Sequence, residues 1–270
     1  MDIVQIEEKA RKIRKDILEM TYHAGANGGH LGGALSSADI LAALYGSVMM
    51  ISPQMLHNRE HDRFILSKGH ISLAHYAVLY EFGFLNEEEI LSFEKDGSLF
   101  STHEVIKPES GIEFSGGSLG YGVSVAVGIA LAAKIRNSSF YVYTLLGDGE
   151  CNEGIVWEAV MAAVRFKLDN LTIIVDVNKQ QLDGFTENIM PISDIGAVFQ
   201  SFGCAVKETD GHNVEELVRT LGSRTSGVPY VLLANTIKGK GIASIEGKTG
   251  WHHARLTRDQ FDQFTRELDE

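Results

Sequence analysis

The chain has 270 residues, of which 44% are hydrophobic and 22% charged, and its formal net charge is −12 at pH 7. These values fit a globular protein with one large core and argue against nucleic acid as a partner, because phosphate backbones are bound by clustered Lys and Arg. No leader and no bilayer-spanning apolar run is found, so we expect a cytoplasmic protein with no membrane partner. The two cysteines lie far apart in sequence and indicate neither a zinc site nor a disulfide scaffold.

The first part of the chain predicts helices separated by glycine-rich turns. Apolar residues recur at spacings of three and four from residue 2 to about 25, which indicates an amphipathic helix. The turn at residues 25–29 then places His30 on a loop. After it we expect a helix near 37–44, a buried strand at 64–66, an apolar helix through residue 80 and a capped helix at 87–94.

The second part of the chain alternates strands and helices. Residues 95–118 have weak periodicity and predict a long functional loop that carries His103, and a helix of small apolar residues follows at 120–134. Strands are then expected at 140–146, 171–177, 205–208 and 230–234, with helices at 153–167, 214–221 and 258–268. This alternation, without a repeat or linker, favours a single α/β domain over residues 1–270.

Two oxygen-bearing side chains follow predicted strands. Gly147-Asp148-Gly149-Glu150 comes directly after the strand at 140–146, and Asn178 follows the strand at 171–177. Because a helix separates these strands, their carboxyl ends are expected at the same edge of a parallel sheet. Magnesium prefers oxygen ligands of this kind together with phosphate oxygens and water. The pair is therefore a candidate cation site, although a helix cap and a turn residue would give the same pattern.

The surrounding residues carry a resemblance to a known family. Residues 145–154, 168–171, 176–178 and 182–184 closely resemble the thiamine diphosphate motif of transketolases. Gly29-His30, residues 62–70, residues 117–120 and residues 250–252 are also similar to that family, so the resemblance covers roughly residues 10–255. It implies a three-layer α/β/α sandwich with a mostly parallel sheet, binding thiamine diphosphate with Mg²⁺ or Ca²⁺. The implied activity is transfer of a two-carbon ketol unit between sugars.

The resemblance also implies a role for individual residues. The metal ligands would be Asp148, Asn178 and the backbone carbonyl of Gln180. The cofactor contacts would be Gly117, Leu119, Gly149, Glu153, Asn178 and Lys238, with Glu153 also at a subunit interface. The histidines that line the channel and move protons would be His30, His70, His103 and His252. For Lys68 and Lys238 a solvated lysine is the simpler interpretation, and the other histidines, including His253, are expected to be structural.

A full-length transketolase has two further domains, and residues 1–270 resemble neither of them. One is the pyrimidine-binding domain, whose glutamate contacts the cofactor, and the other is a C-terminal domain. We therefore expect the partner to be a transketolase C-terminal subunit, which supplies that glutamate, most simply in an α2β2 assembly. The substrates would be sugars, phosphorylated or free.

Several positions depart from the family pattern and leave the sugar preference open. Glu104 follows His103 where proline is usual, Leu31 follows His30, Tyr121 stands where glutamine is common, and Gln181 follows the metal-site residues without a glycine. Two other functions share part of the pattern, namely the alpha subunit of a 2-oxo-acid dehydrogenase and a non-catalytic cofactor-binding paralogue. A nicotinamide-binding Rossmann enzyme is poorly supported, because no Gly-x-Gly-x-x-Gly follows the first strand.

Overall fold

The computed structural model describes residues 1–58 and 60–270. Its sheet has five parallel strands in the order β1-β2-β3-β5-β4. The strands are β1 Arg63–Leu66, β2 Val142–Gly147, β3 Leu171–Val177, β4 Ala205–Asp210 and β5 Tyr230–Asn235. Strands β2, β3 and β5 are buried almost throughout, as expected for a parallel sheet that is covered on both faces.

Helices connect the strands and cover both faces of the sheet. In chain order they are α1 Ile3–His23, α2 Leu31–Ser36, α3 Ala38–Ala43, α4 Ser72–Glu81, α5 Glu87–Leu91, α6 Tyr121–Arg136, α7 Gly154–Arg165, α8 Thr186–Ile189, α9 Ile195–Phe202, α10 Val214–Leu221 and α11 Arg258–Asp269. Within the described ranges, no helix combines the length and apolar character needed to cross a lipid bilayer.

The core has two halves, one on each face of the sheet. On one face α1–α5, α10 and α11 pack against Tyr143 and Leu145 of β2. On the other face α6, α7 and α9 pack against Val142 and Leu146 of the same strand. Alternate residues of a strand point to opposite faces, so β2 contributes to both halves. The expected three-layer α/β/α sandwich with a parallel sheet is confirmed.

The predicted elements agree with the structure except at several helices. Each predicted strand is present, and residues 95–118 form a loop with one short helical turn, Pro108–Ser110. The helix expected at 37–44 is α3, and a π-helical turn, Leu44–Val48, follows it. The helix expected at 87–94 ends at Leu91 as α5, and helices α2 and α8 have no counterpart in the predictions. Helix α9 was not predicted, although Asp194 caps it by accepting a hydrogen bond from the backbone N–H of Ala197 at 2.8 Å.

The carboxyl ends of the strands bring the predicted site residues to one edge. Strand β1 leads into Lys68, β2 into Asp148, β3 into Asn178 and β5 into Lys238. Each of these residues lies one to three positions beyond the end of its strand. In open parallel sheets ligands bind at this edge, so the topology itself selects the place of the functional site.

Candidate functional site

A cavity of about 310 Å³ opens at the carboxyl edge of the sheet. The predicted site residues that line it are Gly117, Leu119, Gly149, Asp148, Asn178, Gln180, Lys238, His70 and His252. A larger cavity of about 680 Å³ lies beside it and also includes Asp148. Its other charged lining groups are mostly carboxylates, among them Glu187, Asp194 and Glu208. Because an anionic cofactor would be repelled there, the smaller cavity is the better candidate for a diphosphate.

Asp148 and Asn178 are held in place by backbone N–H groups. The two carboxylate oxygens of Asp148 accept hydrogen bonds from the N–H of Gly149 at 2.8 Å and of Lys179 at 2.6 Å. The Asn178 side-chain oxygen accepts one from the N–H of Gln180 at 3.1 Å. Burial, followed by repulsion from the carboxylate of Asp176, raises the pKa of Asp148 to about 6. A cation bound to these oxygens would lower this pKa again, because its positive charge would stabilise the ionised carboxylate of Asp148.

The donor set limits which kind of cation the site could hold. In the described part of the chain, no group of three or more His, Cys, Asp or Glu side chains is arranged to bind a metal ion. A cation at Asp148 would therefore depend on amide and carbonyl oxygens, which Asn178 and Gln180 provide from the same loop. Such all-oxygen donors suit Mg²⁺ or Ca²⁺ rather than zinc.

Lys68 and Lys238 are buried, so the interpretation of either as a solvated lysine is wrong. Their exposed fractions are 1% and 3%. The Lys68 ammonium forms an ion pair with Asp176, whereas the Lys238 ammonium donates only to the carbonyl of Gln181 at 3.2 Å and contacts His252 Nδ1 at 3.1 Å. Burial and then the nearby Lys68 lower the pKa of Lys238 to about 8. Across the described residues, no carboxylate pairs with Lys238. A buried ammonium group without a carboxylate partner is suited to bind an anion such as a diphosphate.

Asp176 joins three segments beneath the cavity. Its carboxylate is fully buried and accepts hydrogen bonds from Ser36 Oγ at 2.7 Å, from Asn178 Nδ2 at 3.0 Å and from the Thr236 hydroxyl, besides the ion pair with Lys68. Burial opposes its ionisation, but Lys68 and the hydrogen bonds keep the pKa of Asp176 below its usual value. The sequence analysis missed this residue, although a carboxylate inside an apolar strand is a recognisable signal. Lys68, Asp148, Asp176, Asn178 and Lys238 are called the lysine end of the cavity below.

Glu150 joins the loops on the opposite side of the same cavity. It is buried and accepts hydrogen bonds from Ser67 Oγ at 2.5 Å and from the backbone N–H groups of Gly120 at 2.7 Å and Gly147 at 3.1 Å. Burial raises the pKa of its carboxyl group. Glu150 thus connects the loop that carries Gly117 and Leu119 to the loop that carries Asp148. No role was assigned to it from sequence.

The glycine-rich loops approach one another too closely for larger residues. A Cβ atom added to Gly69 would lie 2.7 Å from the backbone nitrogen of Gly117, and Gly117 itself has a φ of +145°. A Cβ atom on Gly149 would lie 2.7 Å from the Gln181 side chain. These distances are shorter than real Cβ contacts, so glycine is required at Gly69 and favoured at Gly117. Backbone groups at both loops are therefore open to a ligand in the cavity.

The four predicted histidines come together from four separate segments. The rings of His30, His70 and His252 lie 5.1 to 5.3 Å apart, and the ring of His103 lies 6.5 Å from that of His30. His253, which was expected to be structural, packs its ring 4.8 Å from that of His30 and belongs to the same group. Nothing in the sequence at residues 252 and 253 indicated that His253 would join the other four histidines. These five residues are called the histidine cluster below.

Three members of the histidine cluster, His30, His70 and His252, are uncharged at neutral pH. Burial, followed by the charge of His253, lowers the pKa of His30 to about 4. Burial and then Lys238 lower the pKa of His252 to about 3, and burial likewise lowers the pKa of His70. A neutral imidazole has one nitrogen that donates and one that accepts, so each of these rings can hydrogen bond a hydroxyl or transfer a proton.

Glu153 is the one predicted cofactor residue that lies away from the cavity. Its side chain is exposed at the start of α7 and is not part of the cavity lining. His30 and His103 also lie outside the lining, although they contact residues that belong to it, namely His70 and Gly117. The remaining predicted residues surround one space.

Comparison with known proteins agrees with this arrangement. The sequence profile of the family described as transketolase, thiamine diphosphate binding domain, matches residues 7–269. The chain is 39% identical to one subunit of the apulose-4-phosphate transketolase of Phocaeicola vulgatus, over all of this chain and 96% of that protein. It is also 39% identical to 6-deoxy-6-sulfo-D-fructose transketolase subunit SqwG of Clostridium sp., over 98% of this chain and 97% of that protein.

A solved structure shares the fold over a longer chain. The transketolase of Campylobacter jejuni superimposes with a TM-score of 0.87 at 30% identity. The match covers all of this chain and 43% of that one, so the chain spans about two-fifths of the length of that transketolase.

Proposed function

Since the chain belongs to the transketolase thiamine diphosphate-binding family, we propose that it is the diphosphate-binding subunit of a two-chain transketolase. Its reaction would be transfer of a two-carbon ketol unit from a ketose donor to an aldose acceptor. The observation that carries this proposal is the cavity itself, in which the buried lysines Lys68 and Lys238 lie beside the neutral histidines His70 and His252. An anionic cofactor and a polyhydroxylated substrate need these two environments side by side.

The lysine end would hold the diphosphate and its metal ion. Asp148, Asn178 and the backbone carbonyl of Gln180 would ligate Mg²⁺ or Ca²⁺, while Lys238 would neutralise a phosphate oxygen. Gly149 would allow the backbone to approach the diphosphate, and Gly117 and Leu119 would contact the aminopyrimidine. When bound, thiamine diphosphate supplies the carbon nucleophile and the electron sink that the two-carbon transfer needs.

The histidine cluster would handle the sugar. His30 and His252 have lowered pKa values of about 4 and about 3, so at neutral pH both can accept a proton from a hydroxyl or orient it. His70 and His103 would contact further hydroxyls of the same substrate. His70 and His252 line the cavity, and His30 and His103 lie against residues that line it, which would allow a chain of hydroxyls to be held at several points.

A partner chain would complete the site. The relatives that this chain matches over nearly their whole length are named as transketolase subunits, whereas the solved transketolase is more than twice as long. We propose that residues 1–270 form one cofactor-binding unit, and that a transketolase C-terminal subunit supplies the pyrimidine-binding domain and its glutamate. Glu153, exposed at the start of α7, would lie at this interface, and an α2β2 assembly is the simplest arrangement.

The test compares the chain alone with the chain co-expressed with its partner. With thiamine diphosphate and Mg²⁺ present, the pair should convert a ketose and an aldose into new sugars, and the chain alone should convert none. The donor panel should include a phosphorylated and a sulfonated ketose, because the two relatives are named for one of each. Turnover by the isolated chain would overturn the requirement for a partner. Release of carbon dioxide from a 2-oxo acid would instead identify a dehydrogenase subunit, and an inactive pair that binds the cofactor would indicate a non-catalytic paralogue.

A further inference from the structure

The backbone that leads to His103 is attached to helix α4. Ser72 Oγ donates hydrogen bonds to the carbonyls of Ser101 at 3.1 Å and Thr102 at 2.9 Å, and the Tyr76 hydroxyl donates to Ser101 at 3.0 Å. Both donors lie in α4, which begins directly after the loop that carries His70. The same helix therefore sets the position of His70 and of the residues before His103.

Glu104 extends this attachment into the core. Its side chain is only 4% exposed, and its carboxylate accepts a hydrogen bond from His75 Nδ1 at 2.5 Å. His75 is 1% exposed, and its Nε2 lies 2.9 Å from the Tyr45 hydroxyl. Burial raises the pKa of Tyr45, so its hydroxyl keeps its proton within hydrogen-bond distance of this ring nitrogen. Both ring nitrogens of His75 therefore have a polar partner, Glu104 on one side and Tyr45 on the other.

His103 and Glu104 are adjacent but point in opposite directions. The Glu104 side chain enters the core beside α4, whereas His103 is exposed and lies against Gly117, whose added Cβ would be 3.3 Å from the imidazole ring. Gly117 lines the cavity. The loop is thus held from behind by a buried hydrogen bond while it presents His103 toward the site. Proline is usual in the family at the position of Glu104, so this chain fixes its loop by a different means.

We propose that Glu104 is a positioning residue, which through His75 and Tyr45 holds His103 in the histidine cluster and thereby determines how tightly the enzyme binds its sugar. The effect on sugar binding rests on the proposed function, whereas the positioning of His103 does not. No hydrogen bond or ion pair joins Glu104 to the five residues of the lysine end, all of which lie in the described part of the chain. The binding of thiamine diphosphate should therefore be independent of Glu104.

The first test follows His103 in the full chain by NMR of its imidazole, assigned from the signal that disappears in His103→Gln. Glu104→Ala should shift or broaden this signal, because the hydrogen bond to His75 is lost. Glu104→Gln should leave it nearly unchanged, because the amide oxygen can accept the same hydrogen bond. Glu109→Ala is the matched control, since Glu109 is exposed on the same loop.

If Glu104→Ala fails to fold, His75→Leu removes the same hydrogen bond and keeps the core filled. A His103 signal that is unchanged in the folded variants would overturn the proposal.

The second test uses the reconstituted pair. Glu104→Ala should raise the KM of the sugar about tenfold, the size expected for one lost hydrogen bond, while the Kd of thiamine diphosphate changes less than about twofold. Glu104→Gln should restore most of the affinity for sugar. Equal losses in sugar and cofactor binding would show a general structural defect and would contradict the proposal. If the pair with unaltered Glu104 transfers no ketol unit, the proposed function fails, and the NMR experiment still decides whether Glu104 positions His103.

Discussion

At the lysine end of the cavity, Lys68 is paired with Asp176 and the carboxylates of Asp148 and Asp176 are hydrogen bonded, whereas in the histidine cluster the rings mainly contact one another. The Asp176 carboxylate has five polar side-chain partners, namely Ser36, Ser37, Lys68, Asn178 and Thr236. By contrast, Nδ1 of His30 is buried without a hydrogen-bond partner among the residues that the structure describes, and His103 is exposed. The lysine end is therefore largely organised before a ligand arrives, while the histidine cluster still has donors and acceptors to offer. This difference suits a constant cofactor at one end and a variable sugar at the other.

The largest effect is expected from breaking the buried pair of the lysine end. Lys68→Met leaves the Asp176 carboxylate buried without its cation, which should lower the free energy of unfolding by about 3–5 kcal/mol. Lys134→Met is the matched control, because Lys134 pairs with Asp169 at 2.5 Å but both are partly exposed, and its loss should cost about 1 kcal/mol or less. Denaturant titration of both variants measures this. Equal losses of unfolding free energy in the two variants would mean that the buried ion pair stabilises the fold no more than a surface ion pair does.

A smaller effect is expected from removing the proposed metal ligand. Asp148→Ala should weaken thiamine diphosphate binding in the presence of Mg²⁺ by about 100-fold, because metal sites lose at least that much when a carboxylate ligand is removed. Isothermal titration of the full chain measures the Kd. Asp183→Ala is the control, since Asp183 is exposed on the same loop as Gln181 and lies outside the cavity lining. Unchanged affinity in Asp148→Ala would place the metal elsewhere.

The histidine cluster should make stability depend on pH. The pKa of His30 falls from an ordinary 6.5 to about 4 in the folded chain. Between these values the unfolded chain binds a proton that the folded chain does not, so stability is full above pH 6.5 and decreases as the pH falls toward 4. His30→Asn should reduce the loss between pH 7 and pH 5 by about 1 kcal/mol, allowing for partial exposure.

Denaturant titration at the two pH values provides the measurement, and His23→Asn provides the control. His23 is exposed at the end of α1, so its replacement should leave the pH dependence as it is. If the stability of the His30→Asn variant had the same pH dependence as that of the unaltered chain, the pKa of His30 would not be lowered by folding.

The smallest effect is expected at His253. Its exposed ring packs on His30, so His253→Ala should change the KM of the sugar by about fivefold or less and leave the Kd of thiamine diphosphate unchanged. His57→Ala, at another exposed histidine, should change neither value. The kinetics of the reconstituted pair give both constants. A change in cofactor affinity would mean that the two ends of the cavity are coupled more tightly than their contacts indicate.

The parts of the site that lie close together in sequence were predictable. Asp148 and Asn178 each follow an apolar strand, and the strand, helix, strand order fixes the edge at which both appear. The burial of Lys68 was not predictable from its neighbours, because its partner Asp176 comes from a strand more than one hundred positions away. The resemblance to transketolases identified four histidines, but it gave no reason to include His253.

Two errors had signals that could have been used. Helix α9 has Asp194 as its cap and apolar residues at 195, 198, 199 and 202, which is a helical spacing that the long loop before it obscured. Glu104 was associated with the sugar preference together with its neighbour His103, yet its own side chain is buried in the core, because neighbouring side chains in an extended segment point to opposite sides. Adjacent positions in a loop therefore need not share a surface, and the core contacts that decide between them come from helix α4.

The backbone bridge between Gly29 and Ala254 has a consequence for the order in which the protein is assembled during synthesis. It places His30 beside His252 and His253, and the same two regions are also joined by the hydrogen bond from Arg14 to the carbonyl of Lys240, across 226 residues. Contacts of such long range form late in folding, because a long loop must close first. A nascent chain can thus complete strands β1–β3 with Asp148 and Asn178 before His252 and His253 reach His30. A ribosome-bound intermediate that has the proposed metal ligands in place, but lacks His252 and His253 beside His30, is the expected result.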